Sequence, residues 1–179
     1  MVKVDPIPSR VRPAVSLPAL VGVFLAALVC LWFHGFSALG WVPILDSANL
    51  ALHEAGHPLV GWFSERLGVY GGTLFQLLFP ALAMAHFWRT GHPVGLALTT
   101  VWLGENLLQI ARYMADARAQ LLPLVGGGEH DWAEILSRWG LLHRDTLLAG
   151  LVRLAGCALM LVACLGLWRR YRAATRTAR

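Results

Sequence analysis

The residues best equipped for chemistry fall in one pentapeptide, His53-Glu54-Ala55-Gly56-His57. On a helix, positions four apart share a face, so both imidazoles can grip one divalent ion with Glu54 beside it. This is the H-E-x-x-H pattern of zinc hydrolases. A catalytic zinc takes three protein ligands and keeps one position for water, whose pKa falls to about 7 on binding. His53 and His57 would supply two ligands. Glu54 would act as general base and then deliver the proton to a leaving amine. Ala55 and Gly56 are small enough to let backbone or substrate approach closely.

The third ligand must come from elsewhere in the chain. Asp116 leads, because it ends a polar stripe of Glu105, Gln109, Arg112 and Asp116 whose steps of four, three and four lie on one helical face. Its competing role is an intrahelical pair with Arg112. His130 comes next, in a loop hinged by Gly126, Gly127 and Gly128 that could fold over the site. Glu105 is expected to neutralise Arg153 or Arg112, and Asp131 reads as the N-cap of a short helix rather than as a ligand. His34, His86, His92 and His143 lack partner spacing and are assigned structural roles. Gln76 either bonds an extended substrate backbone or links two helices.

Of the 179 residues, 57% are apolar and only 14% charged, against about 25% charged in a soluble domain. The mean hydropathy is +0.58. The chain therefore reads as all-α, a polytopic membrane helix bundle of four to five membrane segments and a single domain. The net charge is +5, with basic residues gathered at Lys3, Arg10 and Arg12 and again from Arg169 to Arg179. That arrangement sets topology and gives no nucleic-acid surface; both termini are expected in the cytoplasm. Cys30, Cys157 and Cys164 match neither a thiolate zinc site nor a disulfide framework and are expected to act as small hydrophobes.

The segments follow in order. Residues 1–16 form a proline-bearing cytoplasmic tail, and 17–168 the transmembrane helical domain. Within that domain, the first span is expected over 17–39. The motif helix is expected over 45–63, kinked by Pro58 and either crossing or dipping in as a re-entrant helix. A glycine break follows at 68–72, then a short broken segment over 73–88. A long helix is expected from Val94 to Gln120, and a short interfacial one over 131–139. The last span covers 145–168, with Arg153 seeking a carboxylate on the polar stripe, and 169–179 is a basic cytoplasmic tail. If the motif helix dips and returns, four crossings remain and both ends lie on one side.

His53 to His57 in an apolar helix, the glycines after it, and a later helix bearing Asp116 together resemble the site-2-type intramembrane zinc metalloproteases, as a small divergent bacterial branch. The resemblance implies one zinc ion held by His53, His57 and Asp116, Glu54 as base, and cleavage of a transmembrane or membrane-adjacent peptide. It also implies a multi-pass protein among the lipids of a bacterial inner membrane. The alternative expectation is a non-catalytic membrane scaffold protein whose metal is structural and closed by a fourth protein ligand, His130 or Glu54.

Overall fold

A computed structural model describes residues 14–38, 40–125 and 129–177. They form six helices and no strand: α1 (Leu17–Gly35), α2 (Leu45–Gly61), α3 (Glu65–Thr90), α4 (Pro93–Ala115), α5 (Asp131–Arg138) and α6 (Asp145–Thr177), with a 3-10 turn at Leu142–Arg144 before α6. The chain is an all-α membrane helix bundle. Four stretches are long and apolar enough to cross a membrane: Leu17–Gly35, Glu65–Thr90, Pro93–Ala115 and Leu142–Arg176. The motif helix α2, at 17 residues, is not among them.

Local chemistry sets the ends. Ser16 caps α1 by accepting from the Ala19 amide at 3.3 Å, with Pro18 in the first turn. Gly91 ends α3 in the left-handed conformation, φ 72°, which glycine adopts without a Cβ penalty. His92 then caps α4 through Nδ1, which accepts from the Gly95 amide at 3.0 Å, and Pro93 opens the helix.

Side-chain contacts give the directions. His34, late in α1, reaches Glu105 in the middle of α4, and further along both segments Arg112 donates to the Gly40 carbonyl at 2.9 Å, so α1 and α4 run the same way. Arg118 pairs with Asp145 at 2.8 Å, and Gly104 packs on Gly156; α6 therefore runs back along α4. Phe87 lies against Gly95 and Gln76 bonds Gln109, which makes α3 antiparallel to α4 as well. The four long helices thus alternate, and the start of α1 and the end of α6 share one end of the bundle.

The motif helix behaves differently. The chain passes Arg112 at Gly40, yet Asp46 lies beside the same His34 that reaches Glu105, seven positions back along α4, or about 10 Å deeper. From there α2 climbs back to finish near Tyr113, which meets His53 edge-on at 6.1 Å between ring centres. Within the bundle the chain goes in and comes back, a path compatible with the second of the two sequence expectations, and the helix continues through Pro58 to Gly61.

Several boundaries differ from expectation. The glycine break at 68–72 is helical, the first part of a continuous 26-residue α3. These glycines serve close packing: a Cβ on Gly56 would run into the Gly71 carbonyl, and one on Gly71 into that of Gly56. α4 stops at Ala115, short of Gln120, because Asp116 turns its carboxylate onto the Leu121 and Leu122 amides, both at 3.0 Å. α6 continues through the expected tail to Thr177, about 50 Å in all, well beyond the roughly 30 Å of a bilayer core. Arg153 is exposed and, among the described residues, pairs with no carboxylate.

Two apolar cores hold the bundle. Val23, Val101, Leu108, Met160 and Leu167 join α1, α4 and α6, and Cys30 and Cys164 pack there as free thiols. Val69, Ile110, Met114, Ile135, Leu136 and Ala149 join α3, α4, α5 and α6. Leu28, Leu82, Leu154 and Leu161 face outward, the surface that acyl chains would cover.

Candidate metal centre

On α2, Asp46, Asn49, His53 and Gly56 are spaced three, four and three apart and form its buried face. His53 and His57 lie one above the other, ring centres 5.0 Å apart. Opposite them stands Asp131, the first residue of α5. Its Oδ2 lies 2.9 Å from His53 Nε2 and 3.3 Å from His57 Nε2, and the three donor atoms fall within 4.8 Å of one another. Two atoms bound to one zinc at about 2.1 Å stand roughly 3 to 4.2 Å apart, so the geometry suits a shared ion.

The far side of each ring supports this. His57 Nδ1 faces the Gly68 carbonyl at 3.0 Å, which can only accept, so that nitrogen carries the proton. His53 Nδ1 faces Gln76 Oε1 at 3.1 Å, while the Gln76 amide nitrogen donates to Gln109 Oε1. In its neutral form each ring would consequently turn a bare Nε2 lone pair toward one carboxylate oxygen. Lone pairs converging on an anion require a positive charge among them, either protons on the rings or a cation. A carbonyl or amide oxygen behind each ligating histidine is also the usual support in metal sites. Burial alone would raise the Asp131 carboxyl, but its contacts with the two histidines outweigh this and hold it below the ordinary carboxylate range.

The third member of the constellation is therefore Asp131, and this corrects the sequence reading twice. Asp116 is not in the cluster, because its carboxylate is committed to capping the end of α4. His130 is not in it either. Its Nδ1 caps α5 by accepting from the Ala133 amide at 3.3 Å, its ring stacks on Tyr113 at 4.1 Å, and its Nε2 lies 3.6 Å from Asp116. Burial pushes His130 below the usual histidine range. With His130 taking the cap, Asp131 is free to point inward, and its amide donates to the Tyr113 hydroxyl at 3.2 Å. The sequence signal for this was the tripeptide Glu129-His130-Asp131 itself, in which aspartate is the stronger N-cap by preference and tertiary packing chose histidine.

Glu54 lines the same cavity, about 970 Å³, as His53, His57 and Asp131, together with Trp41, Leu50 and Leu124. Among the described residues no hydrogen bond engages its carboxylate. Gln76 is buried, links His53 to Gln109 across the helices, and lines this cavity as well. His34 belongs to a separate buried group with Asp46 and Glu105. Glu105 neutralises neither arginine: Asn49 and His34 hold it, and Arg112 donates to a backbone carbonyl. No protein-family model, curated protein or solved structure matches the chain.

Proposed function

We propose that the chain is a membrane-embedded metallohydrolase, in which His53, His57 and Asp131 hold one zinc ion and Glu54 is the general base. The observation that carries this reading is the convergence of two Nδ1-anchored histidines on Asp131, beside a glutamate facing a cavity large enough for a peptide segment. When bound, the ion lowers the pKa of water and polarises a carbonyl. The chain does the rest. Gly68 and Gln76 fix which nitrogen of each ring is bare, Asp131 supplies the anionic donor, and Glu54 takes a proton from water and returns it to the leaving group. Three protein ligands leave a fourth position open, which favours catalysis over a closed structural site.

The class of substrate we infer is a transmembrane or membrane-adjacent peptide, and the resemblance to site-2-type proteases is kept in that sense, with Asp131 in place of Asp116. The site lies at the end of the bundle opposite the start of α1 and the end of α6. Basic residues before α1, Arg89 in the last turn of α3 and those from Arg169 onward favour a cytoplasmic position for the end that holds the start of α1 and the end of α6. The site would then open on the outer side of a bacterial plasma membrane.

Glu54→Gln tests the reading. The variant should keep its zinc and lose turnover, seen as full-length membrane proteins accumulating in cells that express it and new termini appearing with the wild type. Equal termini in both strains would end the protease proposal.

A further inference from the structure

A second group of donors lies deeper in the bundle. His34 on α1, Asp46 on α2 and Glu105 on α4 bring ligand atoms within 4.8 Å of one another. His34 Nε2 stands 3.1 Å from Glu105 Oε1 and 3.9 Å from Asp46 Oδ2, again the spacing of atoms sharing one ion. Asp46 and Glu105 are wholly inaccessible to solvent. Asn49 donates to Glu105 Oε2 at 2.7 Å and accepts from Trp102 Nε1 at 2.8 Å, so this side of the group is already ordered. Asp46 Oδ2 accepts from the Val42 amide at 2.7 Å, whereas Oδ1 is buried with no hydrogen-bond partner among the described residues.

Two carboxylates taken out of water against one another are costly unless a cation stands between them. No lysine or arginine among the described residues pairs with either. Arg112 is engaged with the Gly40 carbonyl, and Arg153 reaches only the wall of an adjoining cavity of about 260 Å³ that it shares with His34. A proton shared between the two carboxyls would leave one negative charge, which His34 would have to balance by carrying a second proton. A divalent ion would neutralise both carboxylates, take the His34 lone pair and occupy the open Asp46 oxygen.

We propose that His34, Asp46 and Glu105 form a second divalent-cation site, which ties the inner end of the dipping helix to α1 and α4. One imidazole with two carboxylates suits zinc or manganese. The site is separate from the first: Asp46 and His53 are two helical turns apart on α2, about 10 Å.

The experiment counts ions. Full-length protein in detergent is stripped with chelator, reloaded with Zn2+ alone, washed, and its zinc measured per chain. Wild type should hold two equivalents, the double variant H53N/H57N one, and D46N one. One equivalent in the wild type together with none in H53N/H57N would overturn the second site. One equivalent in the wild type that persists in H53N/H57N would instead support it and count against the first. Should D46N fail to fold, the other two proteins still decide the question, and H34N, which removes a donor without altering a buried charge, repeats the test.

Discussion

Replacing Gly72 with alanine adds one methyl group at a point where the structure has no room for it. A Cβ there would overlap the His53 ring, at 2.6 Å from Cε1 and 2.7 Å from Cδ2, with Nε2 closer still. Ordinary contact begins near 3.4 Å, so the ring must retreat by about 0.8 Å at Cε1 and further at Nε2, several times the roughly 0.2 Å tolerance of a zinc–ligand distance. Its other nitrogen is meanwhile held by Gln76, which in turn is fixed to Gln109. Disturbing the support of a ligand typically costs 10- to 100-fold in metal affinity, and direct displacement belongs at the upper end, about 100-fold. Helix propensity works the other way, since alanine is favoured over glycine by about 1 kcal/mol. The measurement is zinc affinity by competition with a chromophoric chelator, with helicity and thermal unfolding as the check on folding. Gly22→Ala is the control, because nothing lies within 4 Å of a Cβ there. A folded G72A protein whose first-site affinity stays within twofold of wild type would refute the placement of His53.

Other substitutions separate the roles. Asp131→Asn should abolish zinc binding at the first site, whereas Asp116→Asn should retain the ion, since Asp116 caps α4 and only neighbours His130; the reverse result, read by zinc content, would restore Asp116 as ligand. Tyr113→Phe removes the acceptor of the Asp131 amide, a loss of about 1 kcal/mol, and should weaken zinc about fivefold in the same competition assay. Gly104→Val should lower thermal stability by about 1 to 3 kcal/mol, because a Cβ there would already sit 2.8 Å from the Gly156 carbonyl and 2.9 Å from Met160 Cγ. An unchanged melting temperature would count against the α4–α6 packing.

What could be read from the chain beforehand was whatever depends on neighbours in sequence. The pairing of His53 with His57, the apolar spans and the short helix at 131 all follow from local periodicity, and all are present. The glycines at 68, 71 and 72 were misread because a flexible break and a close helix crossing use the same residue. Only the partner surface, Gly56 and His53 on α2, distinguishes the two. Asp131 was missed for a related reason. It lies 74 residues beyond His57, and nothing in the sequence says which of three adjacent polar residues will cap the helix and which will turn inward. The polar stripe of α4 was recognised as a face, but its members proved to have four different partners: His34 with Asn49, Gln76, the Gly40 carbonyl and the amides of the following loop.

The support for His53 and His57 comes wholly from α3 and its link to α4, and their geometry is set once α2 and α3 pack. The remaining donor sits on the first residue of an eight-residue helix, held by Trp132, Ile135 and Leu136 and by a few polar contacts at its rim. An ion in the proposed site would thus be clasped between the packed pair α2 and α3 and an eight-residue helix. Its rate of arrival and departure would follow the opening of α5 and not the breathing of the bundle. Slow metal exchange in such a protein would report how seldom a short helix lifts, and hydrogen exchange along residues 131–138 should keep the same clock.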